Sequence, residues 1–71
     1  MDESNRVLDL VAAGLVTVRE AASFLGISVA GLYALMARGE LPFVKLGRAR
    51  RIPRRALVEL AARNLVDCRH D

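Results

Sequence analysis

Two helix starts set close together constrain this chain more than any other feature. Thr17-Val18-Arg19-Glu20 has the form of a capping box, in which the Thr17 hydroxyl accepts the N–H of Glu20 while the Glu20 carboxylate accepts the N–H of Thr17. A helix is therefore predicted to begin at Val18. Val18, Ala21, Ala22 and Leu25 form its apolar stripe, and Gly26 supplies the positive φ that ends it. Ser28 caps the next helix, which carries Leu32, Leu35 and Met36 on its buried face and stops at Gly39. Only Gly26 and Ile27 lie between the two. Ala21 and Ala22 are small where the second helix must cross closely. Short helices joined by such a turn make a helix-turn-helix, the second helix being of a size for the major groove of DNA. The spacing alone does not establish binding, because many αα-corners bind nothing.

On the C-terminal side, Leu41-Pro42 closes the helical pair and Phe43-Val44-Lys45-Leu46 reads as a strand, with Phe43 and Lys45 on one face and Val44 and Leu46 on the other. Gly47-Arg48-Ala49-Arg50 makes the turn, Arg51-Ile52 returns, and Pro53 suits the first position of a last helix because its missing N–H has no partner there. Leu57, Leu60, Ala61 and Leu65 give that helix its stripe, and residues 66–71 form a frayed tail. Before the capping box, Ser4 can start an additional helix within residues 1–15, carrying Val7, Leu8, Leu10, Val11 and Leu15, with Asp9 and Arg6 toward water and Gly14 as its stop. That helix either packs on its own domain or faces a second protomer; core packing is favoured, because a small domain needs all the apolar area it can bury. The expectation is one domain over residues 1–71, mainly α with a small two-stranded β-hairpin.

Charge divides the chain. Residues 1–40 carry a balance of −2 and residues 41–71 one of +5, and between Lys45 and Arg55 stand six cations without an acid. Such a focused field attracts polyanions. Arg48, Arg50 and Arg51 crowd a short turn with no carboxylate adjacent in sequence. Arg54 and Arg55 fall in the first turn of a helix, where the macrodipole disfavours each cation by about 0.3–1 kcal/mol. An external phosphate relieves both conflicts, since helix N-termini and guanidinium groups both bind anions.

Several classes are excluded by what is missing. Cys68 has no second cysteine for a disulfide or a zinc pair, and with His70 it supplies too few ligands for a metal. The acidic, polar start is unlike a secretory signal, and the apolar run from Leu10 to Val16 is too short to span a bilayer. No nucleophile has a base partner at a recognisable spacing, and no Gly-rich phosphate loop precedes a helix. The reading is a cytoplasmic protein that is not an enzyme and needs no cofactor.

Taken in order, Leu15-Val16-Thr17-Val18-Arg19-Glu20-Ala21-Ala22, Leu25-Gly26-Ile27-Ser28, Leu32-Tyr33, Arg38-Gly39-Glu40-Leu41-Pro42, Lys45-Leu46-Gly47-Arg48 and Arg51-Ile52-Pro53 resemble the small excisionase and MerR-like winged-helix DNA-binding domains of bacteria and their phages. The resemblance covers Leu15 to about Leu60. It implies a winged helix-turn-helix on double-stranded DNA, with the helix after Ser28 in the major groove and the Gly47 to Arg51 turn as a wing on a phosphate track or in the minor groove. Ser28, Val29, Ala30, Gly31 and Tyr33 would meet the bases; Arg19, Lys45, Arg48, Arg50, Arg51, Arg54 and Arg55 would meet the backbone. Family members regulate transcription or, as excisionases, bend DNA beside a recombination site and help an integrase excise an element. MerR-type regulators continue into a dimerisation helix and an effector domain. The early end of this chain favours an excisionase, or recombination directionality factor, working at the nucleoid and self-associating along DNA.

The family usually places polar or basic side chains just after the Ser28 position, whereas this chain has Val29, Ala30 and Gly31. These cannot make bidentate base contacts. Readout then rests on Ser28, Tyr33 and apolar contact with thymine methyls, and DNA shape carries more of the specificity. Two alternatives remain: a small transcriptional regulator on the same fold, and a protein-interaction adaptor or antitoxin using the helix from Leu57 to Val66, whose Val58, Leu65 and Val66 widen its apolar face.

Overall fold

Local capping chemistry sets the element boundaries. In the computed structural model, which describes residues 3–67, the order is α1 (Glu3–Ala12), β1 (Leu15–Thr17), α2 (Val18–Leu25), α3 (Val29–Ala37), β2 (Val44–Leu46), β3 (Ala49–Pro53) and α4 (Arg54–Arg63). Cys68 and His70, with the end of the tail, lie outside the described residues. The capping box forms as expected: the Glu20 N–H donates to Thr17 Oγ1 at 3.0 Å, and the Thr17 N–H donates to Glu20 Oε1 at 2.9 Å. Gly26, at φ 70°, ends α2; its N–H reaches the Ser23 carbonyl while that of Ile27 reaches Ala22. Ser28 then caps α3, accepting the Gly31 N–H at 3.0 Å. Gly39, at φ 77°, closes α3 by the same pair of bonds, its N–H to Met36 and that of Glu40 to Leu35.

The sheet differs from the two-stranded expectation. Leu15 belongs not to the first helix but to β1, which adds a third strand, and the order β1-β3-β2 places β3 in the centre. Both pairings are antiparallel, with Val16 opposite Ile52 and Lys45 opposite Arg50. The hairpin turn is also tighter than expected. Ala49 and Arg50 are already in β3, leaving Gly47-Arg48 as a two-residue loop. Gly47 has φ 63° and no non-glycine φ is positive among the described residues, the sign pattern of a type II′ turn.

Four elements converge on the core. Ala21 and Ala22 of α2, Leu32 and Met36 of α3, Val16 and Ile52 of the sheet, Leu41, and Ala56, Leu57 and Leu60 of α4 are buried in one cluster, with Leu10, Val18, Leu25, Leu35 and Phe43 packed at its edge. Among the described residues no polar or charged side chain is buried. Pro53 is the N-cap of α4 rather than its first residue. The α4 stripe is consequently Ala56, Leu57 and Leu60; Ala61 is exposed, and Leu65, past the Asn64 cap, is 77% exposed. Ser4 is inside α1 rather than at its cap, since the helix starts at Glu3. That helix lies against α4 through its inner side, while Val7 and Leu8 stay 50% and 62% exposed. No single described helix is long and apolar enough to cross a membrane.

Candidate nucleic-acid interface

The site is built from two units that share the buried core and are bridged at the surface by one arginine. The first is the pair α2 and α3, which meet at 100°, within the range that presents the second helix of a helix-turn-helix to a groove. The outer side of α3 displays Val29, Ala30, Tyr33, Ala34 and Ala37, and no charged residue stands anywhere in the helix. Gly31 is where the Ser28 cap comes closest: a Cβ there would stand 3.3 Å from Ser28 Oγ. That hydroxyl accepts from Gly31, which leaves its own hydrogen free to donate outward.

The second unit is the β2–β3 hairpin. Arg50 was expected among the cations at the turn, but β3 directs it back across the sheet's inner face. Its guanidinium carbon lies 4.6 Å from the Phe43 ring centre and 5.3 Å from that of Tyr33. Arg50 thus bridges the wing to α3, and face-on stacking leaves the in-plane N–H groups available to an anion. Arg51, opposite both Val44 and Thr17, donates from Nη1 to the Arg50 carbonyl at 2.9 Å. Lys45 and Arg48 are exposed, as is Arg19 on α2, and no carboxylate pairs with these three among the described residues.

Two carboxylates stand near the remaining cations, one at helical spacing in the sequence and one brought there by the fold. Arg55 pairs with Glu59 one helical turn on, at 3.5 Å. Glu20 comes near Arg54 and Arg51 through the fold, and its carboxyl titrates below the ordinary glutamate range, first because it accepts the Thr17 N–H, then through the Thr17 hydroxyl, with those two cations adding to the effect. The first N–H of α4 is also occupied, since Arg54 N donates to the Gly14 carbonyl at 2.9 Å. Arg54 and Arg55 instead border a groove with Ala13, Val58, Glu59 and Ala62.

A third group of charges fastens the far end of α3. Arg38 Nε meets Glu40 Oε2 at 2.8 Å, and Arg63 Nη2 reaches the Glu40 carbonyl at 3.4 Å. The Arg38 hydrogen bond and then its charge hold the Glu40 carboxyl below its usual range, with Arg63 adding a smaller contribution. Both glutamates therefore have folded pKa values below their unfolded ones. Their contributions are fully present above the unfolded value and are lost as pH falls through the folded one. A thermal-melt series from pH 7 into the acid range should show Glu20→Gln and Glu40→Gln less stable than the parent at neutrality, with a flatter acid limb for each. Superimposable curves would mean that neither carboxylate contributes.

With this geometry in place, comparison with known proteins decides the family. Residues 15–65 match the family model described as a helix-turn-helix domain. The chain belongs to the helix-turn-helix domain family. Its excisionase-like character agrees with a relative from Saccharopolyspora erythraea described as a probable excisionase, 53% identical over 49 residues, a stretch covering 69% of this chain and 50% of the relative. The chain therefore spans about half the length of the curated relative it matches. No solved structure gives a significant match. Helix-turn-helix proteins of this excisionase-like kind bind DNA and are not a catalytic enzyme family. Among the described residues no group of His, Cys, Asp and Glu could hold a metal ion. The match begins at β1, the strand missed above; Leu15-Val16-Thr17 is too short to show an alternating pattern, and its partner is far away in sequence.

Proposed function

We propose that this protein is an excisionase-type accessory factor that binds double-stranded DNA, bends it and assists an integrase in releasing a mobile element. The observation that carries the reading is the helix-turn-helix with its basic wing, in a chain 53% identical to a probable excisionase over the matched stretch. In this reading α3 enters the major groove through Ser28, Val29, Ala30, Gly31 and Tyr33. Lys45, Arg48, Arg50 and Arg51 follow a phosphate track from the wing, while Arg19, Arg54 and Arg55 contact the backbone on the other flank. With few base contacts available, sequence-dependent bending supplies the selectivity, and neighbouring copies assemble along the site. The protein works at the nucleoid, in the cytoplasm. An integrase would meet the exposed Val58 of α4, beside the flank that Arg54 and Arg55 give to the backbone.

The test is a gel-shift titration on fragments from around the gene and any adjacent attachment site, at two salt concentrations, with unrelated DNA as control. Stepwise, salt-sensitive shifts confined to the attachment region are expected. Shifts confined to promoter fragments would instead make the protein a transcriptional regulator. An absence of binding at low salt would remove DNA from the account and leave an adaptor.

A further inference from the structure

The recognition helix poses a chemical question of its own. Base edges in the major groove are read mostly by hydrogen bonds, Arg or Lys to guanine and Asn or Gln to adenine. The outer side of α3 has no group for such pairs. What it exposes is Val29, at 40%, with Ala30 one position on and Tyr33 one turn later at 44%. These residues hold neighbouring places on one helix side, at i, i+1 and i+4. Burial in the core does not account for this exposed area, since Leu32 and Met36, on the adjoining side of the helix, take that role and leave Val29 and Tyr33 at the edge of it. The Arg50 guanidinium lies over the Tyr33 ring at 5.3 Å, and Lys45 stands opposite Arg50 in the sheet, so cations adjoin this apolar patch. An apolar strip edged by cations fits a surface that is itself apolar at the centre and anionic at its edges.

The major groove has one apolar feature of that kind, the C5 methyl of thymine lying between two phosphate tracks. 5-Methylcytosine carries the same methyl on the same ring carbon. Resting on the DNA-binding reading above, we propose that α3 selects duplexes by the C5 methyl groups of their pyrimidines, thymine and 5-methylcytosine alike. Val29 and Ala30 form the methyl-binding surface, and the Tyr33 ring, fixed by Arg50, bounds it. Selectivity then follows the methylation state of cytosine as well as base sequence, and unmethylated G·C tracts become the poorest sites.

The experiment uses the full chain and four fluorescent duplexes: an A·T-rich duplex, the same duplex with uracil replacing every thymine, a G·C-rich duplex, and that duplex with every cytosine 5-methylated. Anisotropy titrations are run at two salt concentrations. Each methyl buried against the helix is worth about fourfold in affinity, so the uracil duplex should bind on the order of tenfold more weakly than its thymine parent. The methylated G·C duplex should bind correspondingly more tightly than the unmethylated one, with the salt dependence unchanged within each pair. Val29→Ser should shrink both ratios and leave the salt dependence intact, and a circular-dichroism melt establishes that the variant is folded. Equal binding of the thymine and uracil duplexes, with normal salt dependence, would overturn methyl readout while leaving DNA binding in place. No salt-dependent binding to any of the four would overturn the DNA-binding reading itself.

Discussion

Leu32→Ala should remove about half of the stability of the domain. Leu32 is fully buried in the cluster that joins α2, α3, the sheet and α4, so the cavity left by truncation adjoins every layer of the domain. A Leu→Ala change at such a site costs about 2–5 kcal/mol. At about 0.05–0.15 kcal/mol per residue, a chain of this size has on the order of 4–10 kcal/mol in total. Urea titration should therefore show a midpoint reduced by roughly a fifth or more at unchanged slope, and the melting temperature should fall by about 8–40 °C. Leu32→Met, which nearly conserves volume, should cost less than about 1.5 kcal/mol. A loss under about 1 kcal/mol for Leu32→Ala would show that the α2–α3 crossing does not depend on this side chain.

The second large effect is on binding rather than folding. Lys45 and Arg48 are exposed and unpaired on the wing, so removing both should leave the urea midpoint almost unmoved. If each neutralises one phosphate, Lys45→Ala with Arg48→Ala lowers the slope of log affinity against log salt by about 1.8, and reduces affinity at 0.1 M salt by roughly 60-fold, uniformly across sequences. Arg50→Ala should behave differently. It removes two ring contacts, each worth about 0.5–1 kcal/mol, so it lowers stability and loosens the wing against α3 at the same time. A double wing variant with an unaltered salt slope would show that the wing does not touch the backbone.

The contrast between Arg48 and Arg50 also shows which parts of the fold can be read from sequence. Thr17, Glu20, Gly26, Ser28 and Gly39 act within a turn of their own position, so capping rules place them, and the boundaries of α2 and α3 follow. The family motifs extend the same local logic to the wing. Features that depend on distant partners were not legible. Three residues cannot announce that they will pair with Leu15↔Pro53 and Thr17↔Arg51 register across the sheet. Nor does a run of arginines reveal that one turns inward onto Phe43 and Tyr33 while another is eased by Glu20. The α4 stripe held at Leu57 and Leu60 but ran too far for a related reason: the spacing of apolar residues continues to Leu65, whereas the helix ends at Arg63 and the core ends with it.

The placement of β3 between two neighbours makes the wing a cantilever. Its root is clamped by β1 on one side, and the Gly14 carbonyl pins the start of α4 directly behind it; only Gly47 and Arg48 project as the free end. A load on Arg48 is therefore borne by the first strand of the chain instead of being spent in bending the hairpin. Trimming the chain back to the two helices and the hairpin would keep every side chain of the wing but remove its mounting, and a lever without a mounting transmits no torque.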